Sequence, residues 1–251
     1  MTAFLLALQF LTAIPLKINA VDDKRLASSL IFFPLAGLII GLILAGVSSL
    51  LLIMQFNGLI AGTILVVTLV IITAGIHLDG LADTFDAIVS GKNKEEMLKI
   101  MHDPHIGVMG ALSIACILLL KISFVSSLGF PLRNISLILM CVLSRWSLVA
   151  AMFFFPYARK EGKVKIFMEN INLRIFFLAT IVALAGVLFI WQFKGLLVFL
   201  SAAVFALLAC RLISKKLAGI TGDSLGAVNE LVEVFILFCV YILGLPLHLT
   251  T

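Results

Sequence analysis

The feature that most constrains this chain is a series of apolar runs, each about long enough to cross a lipid bilayer. A membrane-spanning helix needs about 20 predominantly apolar residues, and such runs recur between polar breaks throughout the sequence. They cover approximately 29–54, 58–76, 106–127, 134–155, 173–192, 195–213 and 230–247. Because 63% of the 251 residues are hydrophobic and only 12% are charged, little of the chain is left for a soluble domain.

The sequence therefore predicts an all-α integral membrane protein, with about seven transmembrane helices in a single domain over residues 1–251. The apolar segment 3–16 is too short to cross the bilayer and runs into Pro15 and Lys17. We expect it to form an interfacial or re-entrant helix. The four cysteines stand singly in apolar runs, which argues against a metal or redox centre built on thiols.

Basic residues are distributed unequally between the two predicted sides of the membrane. One side carries only Arg133 and Lys194 at its helix ends. The other carries Lys17, Lys24, Arg25, Lys92, Lys94, Lys99, Arg159, Lys160, Lys163, Lys165, Arg174, Arg211, Lys215 and Lys216. The positive-inside rule places this basic side in the cytoplasm, which predicts a multi-pass protein of the inner membrane. The net charge of +5 suits anionic lipids and anionic substrates, and no soluble basic module indicates nucleic-acid binding.

Three carboxylates follow the second apolar run at helical spacing. Asp79, Asp83 and Asp86 stand at positions i, i+4 and i+7, which places them on one face of a helix. Grouping anions beside lipid is costly unless a cation lies between them. Mg²⁺ takes carboxylate and phosphate oxygens as ligands, so this face predicts a Mg²⁺ site for a phosphorylated substrate. His77 points to the opposite face and is either a packed histidine or a site residue.

Two further candidates lie in the middle of the chain. Asp103 precedes Pro104, a pair typical of a helix start, and the helix N-terminus it would form favours phosphate. Arg145 lies inside a predicted span, where a charge requires a partner. That partner is either a phosphate, the acidic face or a structural ion pair.

The remaining candidates lie in two polar connections. Arg159 belongs to a basic segment that either binds phosphate or anchors the chain at the membrane surface. The glycine-rich stretch that contains Thr221 and Asp223 allows close backbone approach, although Asp223 could simply cap a helix. Glu230 lies on the same face as Asp223 and would enter the bilayer, so a polar partner is expected there.

Together these stretches resemble the cobalamin synthase family, the adenosylcobinamide-GDP ribazoletransferases. The most specific match is the run His-Leu-Asp-Gly-Leu-Ala-Asp-Thr at 77–84. Weaker matches occur in the family's order at 10–15, 32–37, 100–103, 157–159 and 221–230.

The resemblance implies a transferase that joins adenosylcobinamide-GDP to α-ribazole or α-ribazole 5′-phosphate. The products would be adenosylcobalamin or its 5′-phosphate, and GMP, with Mg²⁺ as cofactor. Applied to this chain, it suggests catalytic roles for His77, Asp86 and Asp103. Substrate contacts would fall to Arg145, Arg159, Thr221, Asp223 and Glu230. The sequence leaves a homo-oligomer open.

Two other functions fit the same composition. A transferase that releases CMP from a CDP-alcohol would use a similar acidic face, but the arginine of its Asp-x-x-Asp-Gly-x-x-Ala-Arg pattern is absent between Ala82 and Asp86. A cation-coupled transporter would use the acids as an ion site. Its binding residues would be expected near the membrane midplane, whereas these acids lie at one side.

Overall fold

The computed structural model describes residues 2–15, 22–162 and 164–245. Eleven α-helices account for most of these residues, and a 3₁₀ turn at Ser29–Phe32 joins the second helix to the third. The helices are α1 Thr2–Leu11, α2 Asp23–Ser28, α3 Phe33–Ile53, α4 Gly58–Thr73, α5 Ile76–Val89, α6 Lys94–Ile100, α7 Val108–Ser127, α8 Leu132–Phe154, α9 Lys165–Asn170, α10 Leu173–Leu217 and α11 Gly222–Gly244. No β-strand occurs in the described ranges, and the predicted all-α membrane class is confirmed.

Five segments are long and apolar enough to span a membrane: 23–53 (α2 to α3), α7, α8, α10 and α11. A sixth span is possible if α4 and α5 are counted as one broken helix. The 45-residue helix α10 contains two of the predicted spans, 173–192 and 195–213. The predicted number of about seven is obtained only when α4 and α5 are counted as one span and the two arms of α10 as two.

The two arms of α10 fold back on each other at a non-helical break. Trp191 and Gln192 leave helical geometry, and Gln192 has a φ of 47°. Gly195 lies so close to Val187 that an added Cβ would collide with the Val187 carbonyl oxygen. In a continuous helix these two residues would be about 12 Å apart along the axis, so the contact identifies a tight helical hairpin.

Helix α8 occupies the centre of the bundle. Its side chains are buried almost continuously from Ser136 to Met152, and it packs against α3, α10 and α11. Gly37 and Gly41 of α3 lie directly against the α8 backbone, because an added Cβ would collide with the carbonyl of Cys141 in one case and the Cα of Ile138 in the other. Small residues spaced four apart allow helices in a membrane to approach this closely.

The short helix α5 is turned away from α4 by 90°. Ala74 and Gly75 both adopt left-handed backbone conformations, with φ of 51° and 66°, and so end α4 and redirect the chain. Helix α5 then packs against α7 and α11. Its carboxylates therefore lie beside the first turns of those two helices rather than continuing a span.

Several predicted boundaries differ from the structure. Helix α11 begins at Gly222 rather than near 230, so Glu230 lies well inside it. Helix α7 begins at Val108 with Gly107 as its N-cap, so the prediction that Asp103 and Pro104 start this helix was wrong. The predicted short helix at the N-terminus is present as α1. The segment after it is tied to α4, because the Ala13 N–H donates to the Ile72 carbonyl at 2.7 Å.

Candidate active site

Close contact between α5 and α11 brings the acidic residues of the two helices together. A Cβ added at Gly80 would lie 2.5 Å from the Asp223 carbonyl oxygen, and one at Gly226 would lie 3.0 Å from the His77 carbonyl oxygen. Side chains at these two positions would force the helices apart. The glycines thus place Asp79 and Asp83 of α5 near Asp223 of α11.

The start of α11 is fixed by a capping box, in which the hydroxyl of Thr221 accepts a hydrogen bond from the Ser224 N–H at 3.1 Å. In return, the Thr221 N–H donates to the Ser224 hydroxyl at 2.7 Å. Thr221 is completely buried and caps the helix, so Asp223 is not the N-cap. The side chain of Asp223 is left available for other contacts in the first turn.

The segment after α8 places Arg159 in contact with Asp223. Backbone hydrogen bonds pair it with Ile220: the Ala158 N–H donates to the Ile220 carbonyl at 2.8 Å, and the Ile220 N–H donates to the Pro156 carbonyl at 2.9 Å. Arg159 follows directly and donates from Nη2 to Asp223 Oδ2 at 2.6 Å. Its buried Nε has no hydrogen-bond partner among the described residues.

A cavity of about 370 Å³ opens between these elements. Its polar wall is formed by Asp79, Asp223, Arg159 and His77. The apolar part of the lining includes Phe10, Leu148, Met152, Val164 and Leu225. The cavity therefore combines charges that suit a phosphate group with a surface that suits an apolar or aromatic part of a ligand.

We use the term carboxylate face for Asp79, Asp83 and Asp223. Asp83 is half-buried, and the negative charges of Asp79 and Asp223 act on it, opposed by the positive charge of Arg159. The side chains of Asp79 and Asp83 make no hydrogen bond or ion pair with any other described residue. The oxygens of these two carboxylates are therefore available to a ligand.

Asp86 differs from the other two acids of α5 because both of its carboxylate oxygens accept hydrogen bonds. Its Oδ2 accepts from the Gly107 N–H at 2.7 Å and its Oδ1 from the Gly110 N–H at 2.8 Å. These are the N-cap and third residues of α7, so Asp86 caps that helix from a distant part of the chain. A Cβ at either glycine would collide with the Asp86 carboxylate.

His77 is also among the residues that line the cavity, although the residue is only 5% exposed. Its Nε2 has no hydrogen-bond partner in the described part of the chain. The sequence left open whether His77 is a packed histidine or a site residue; the structure buries the residue and places it beside the cavity, which fits either role.

Four charged side chains form a second group, which we call the buried charge cluster: Lys121, Arg145, Glu230 and Glu233. Lys121 pairs with Glu230 at 2.6 Å and also with Glu233, and Arg145 pairs with Glu233. Each of these side chains is at most 5% exposed. The four charges sum to zero, and the cluster lies in the interior between α7, α8 and α11.

Arg145 and Glu230 were both predicted to contact substrate. Neither lines the cavity, and each is paired inside the buried charge cluster. For Arg145 this position matches the structural ion pair, one of the alternatives that the sequence left open. For Glu230 the expected polar partner is Lys121. Sequence reasoning did not identify Lys121 and Glu233 as members of the buried charge cluster. The sequence did contain a signal for them, because two basic residues inside predicted spans, Lys121 and Arg145, each require an acidic partner inside the membrane.

Asp103 lies apart from the cavity, in the exposed segment between α6 and α7. Its Oδ1 accepts from the His105 N–H at 2.9 Å and contacts the His105 Nδ1 at 2.7 Å. These hydrogen bonds hold the pKa of Asp103 below its usual range. The contacts are those of a local turn, and Asp103 makes none with the carboxylate face.

The fold and the cavity define a polytopic, all-helical membrane protein with an acid- and arginine-lined site at one end of its helices. The chain belongs to the cobalamin-5-phosphate synthase family, whose model matches residues 3–241.

Three proteins named adenosylcobinamide-GDP ribazoletransferase are similar along almost their whole length. The protein of Desulforamulus reducens is 35% identical over 235 residues, which are 94% of each chain. The protein of Caldanaerobacter subterraneus subsp. tengcongensis is 37% identical, over 95% of this chain and 98% of its own. That of Clostridioides difficile is 37% identical, over 97% and 98%. No solved structure matches the chain.

Proposed function

We propose that this chain is a membrane-bound transferase that joins adenosylcobinamide-GDP to α-ribazole or α-ribazole 5′-phosphate, with release of GMP. The observation that carries the proposal is that Asp79 and Asp223 of the carboxylate face line a partly apolar cavity together with Arg159, with Asp83 next to them on α5. Membership of the family and the names of its relatives supply the substrates. This is the step that assembles the nucleotide loop of cobalamin.

The reaction transfers the phosphoryl group that carries cobinamide from the phosphate of GMP to an alcohol. A ribose hydroxyl of the acceptor attacks the phosphorus that carries cobinamide, and the bond from that phosphorus to the GMP oxygen breaks. One P–O bond forms, one breaks, and the hydroxyl loses its proton. Catalysis of this reaction consists mainly of positioning and of stabilising negative charge, which requires cations near the diphosphate.

The donor set of the carboxylate face fits Mg²⁺. Within the described residues, no three His, Cys, Asp or Glu side chains are already arranged as a metal centre. However, the unpaired oxygens of Asp79 and Asp83 are the ligand type that Mg²⁺ prefers, and this ion commonly takes one or two carboxylates plus substrate phosphates. When bound there, Mg²⁺ would neutralise charge on the diphosphate.

The roles of the other residues follow from their contacts. Arg159 is held by Asp223 with its Nε unpaired, so it can donate to a phosphate oxygen. A carboxylate of the carboxylate face or His77, which is among the residues that line the cavity, accepts the hydroxyl proton. Asp86 positions α7 against α5 through its two backbone hydrogen bonds and does not bind the metal.

The site faces the cytoplasm of the inner membrane in this proposal, because basic residues crowd the same ends of the helices as the cavity. These include Lys94, Lys99, Arg159, Lys215 and Lys216. No observation favours a CDP-alcohol transferase or a transporter over the ribazole transferase.

One assay tests both the reaction and its side. Purified protein is reconstituted into vesicles, which are sorted by orientation, and GMP release is measured with external adenosylcobinamide-GDP, α-ribazole and Mg²⁺. We expect GMP release from vesicles that expose the cytoplasmic side and none from the opposite orientation until detergent is added. Inactivity in both, with or without detergent, would contradict the proposed reaction. Activity confined to the opposite orientation would contradict the proposed side.

A further inference from the structure

A second, larger depression adjoins the cavity. It has a volume of about 790 Å³ and lies between α6 and the segment that follows α8. We call it the basic groove, because four basic side chains line it against two acidic ones. The basic residues are Lys94, Lys99, Arg159 and Lys160, and the acidic ones are Glu95 and Glu161.

The lysines of the basic groove are free to bind an anion. The ammonium groups of Lys94, Lys99 and Lys160 make no ion pair or hydrogen bond with any described residue, although Glu95 and Glu161 lie in the same groove. Lys99 belongs to α6 and Lys160 to the segment after α8, so both elements that line the groove contribute a positive charge to it. Leu98 and the buried Ala158 contribute apolar surface.

Arg159 joins the basic groove to the cavity, since it lines both. Through its bond to Asp223 it lies at the edge of the carboxylate face. A ligand in the groove can therefore reach the reacting phosphorus at that residue. The groove and the cavity together offer two connected spaces, as a reaction between two large substrates requires.

We propose that the basic groove binds the 5′-phosphate of the acceptor, α-ribazole 5′-phosphate. This inference rests on the proposed function and assigns a residue set to one of its substrates. Both phosphates of adenosylcobinamide-GDP take part in the bond that is broken, so they belong at the carboxylate face, and guanosine carries no charge. The acceptor phosphate is the remaining anion. It carries a charge of about −1.5 to −2 at pH 7 and lies only a few ångströms from the ribose hydroxyls.

The test compares two acceptors that differ only in the phosphate. Steady-state KM values for α-ribazole and α-ribazole 5′-phosphate are measured for wild type and for the double variant Lys99→Gln/Lys160→Gln. We expect the KM ratio of phosphorylated to unphosphorylated acceptor to rise about tenfold, or ~1.4 kcal/mol. Each exposed lysine would then contribute roughly threefold, in the range of solvent-exposed ion pairs.

The matched control removes two lysines from the same side of the membrane but outside the groove. Lys215 and Lys216 are exposed at the end of α10, and Lys215→Gln/Lys216→Gln should leave the KM ratio unchanged. An equal rise for both acceptors, or a rise in the KM of adenosylcobinamide-GDP alone, would overturn the proposal.

A direct binding measurement separates this proposal from the reaction itself. Titration calorimetry of each acceptor against detergent-solubilised protein requires no turnover. Tighter binding of α-ribazole 5′-phosphate than of α-ribazole, abolished in Lys99→Gln/Lys160→Gln, would support the groove even if no GMP were released. Equal affinity of wild type for both acceptors would refute it, whatever the activity.

Discussion

The carboxylate face and the buried charge cluster are two groups of charged residues on the same scaffold, and they balance their charges in opposite ways. In the buried charge cluster, two bases and two acids pair with one another away from solvent. In the carboxylate face, Asp223 pairs with Arg159, while Asp79 and Asp83 have no partner in the described structure. Charges that are balanced internally hold helices together, whereas charges left unbalanced are available to a ligand.

Breaking the buried charge cluster should have the largest effect on stability. Glu233→Leu leaves Arg145 buried without its partner, and removal of one member of a buried ion pair typically costs about 3–5 kcal/mol. We expect this loss in the free energy of unfolding, measured by denaturant titration in detergent micelles.

The control for this experiment removes both partners. In Arg145→Met/Glu233→Leu, Lys121 keeps its pair with Glu230, so no unpaired charge remains. The double variant should be more stable than Glu233→Leu alone. If the two variants are equally unstable, packing and not charge balance explains the role of the cluster.

A change in the carboxylate face should affect turnover and leave stability nearly unchanged. Asp83→Asn removes one charged oxygen donor from the proposed Mg²⁺ site, and loss of one electrostatic group of this kind typically lowers kcat by about a hundredfold or more. The rate of GMP release at limiting Mg²⁺ measures this effect.

The comparison for Asp83→Asn is Glu169→Gln, which removes an exposed carboxylate that pairs with Lys165 in the preceding turn of α9. Its turnover should equal that of wild type. Wild-type GMP release by Asp83→Asn at limiting Mg²⁺ would remove Asp83 from the metal site.

The smallest expected effect concerns Asp86, which shares a helix face with the other acids but is fully engaged in hydrogen bonds. Asp86→Ala leaves the first N–H groups of α7 without their acceptor, and loss of an N-cap costs about 1–2 kcal/mol. We expect this loss of stability together with an unchanged dependence of the residual activity on Mg²⁺ concentration. A strong rise in the Mg²⁺ concentration required for activity would instead identify Asp86 as a ligand.

The sequence predicted the apolar spans and the acidic run of α5 because both depend on neighbouring residues. It could not predict that Asp86 caps α7, since the glycines concerned lie 21 and 24 residues further along. For the same reason the start of α11 was placed too late. Considered alone, Glu230 marks the beginning of an apolar run. Only the contact with Lys121, 109 residues away, neutralises its charge inside the helix.

Helix α11 carries Asp223 at its first turn and Glu233 ten residues later, about 15 Å along a rigid rod. The same rigid helix therefore carries one residue of the buried charge cluster and one residue of the carboxylate face. Efforts to stabilise the protein for purification by repacking its interior would move the helix on which the reacting groups are mounted. Thermostability and turnover should consequently be optimised together in this molecule, with substitutions on the lipid-facing arms of α10 as the safer starting point.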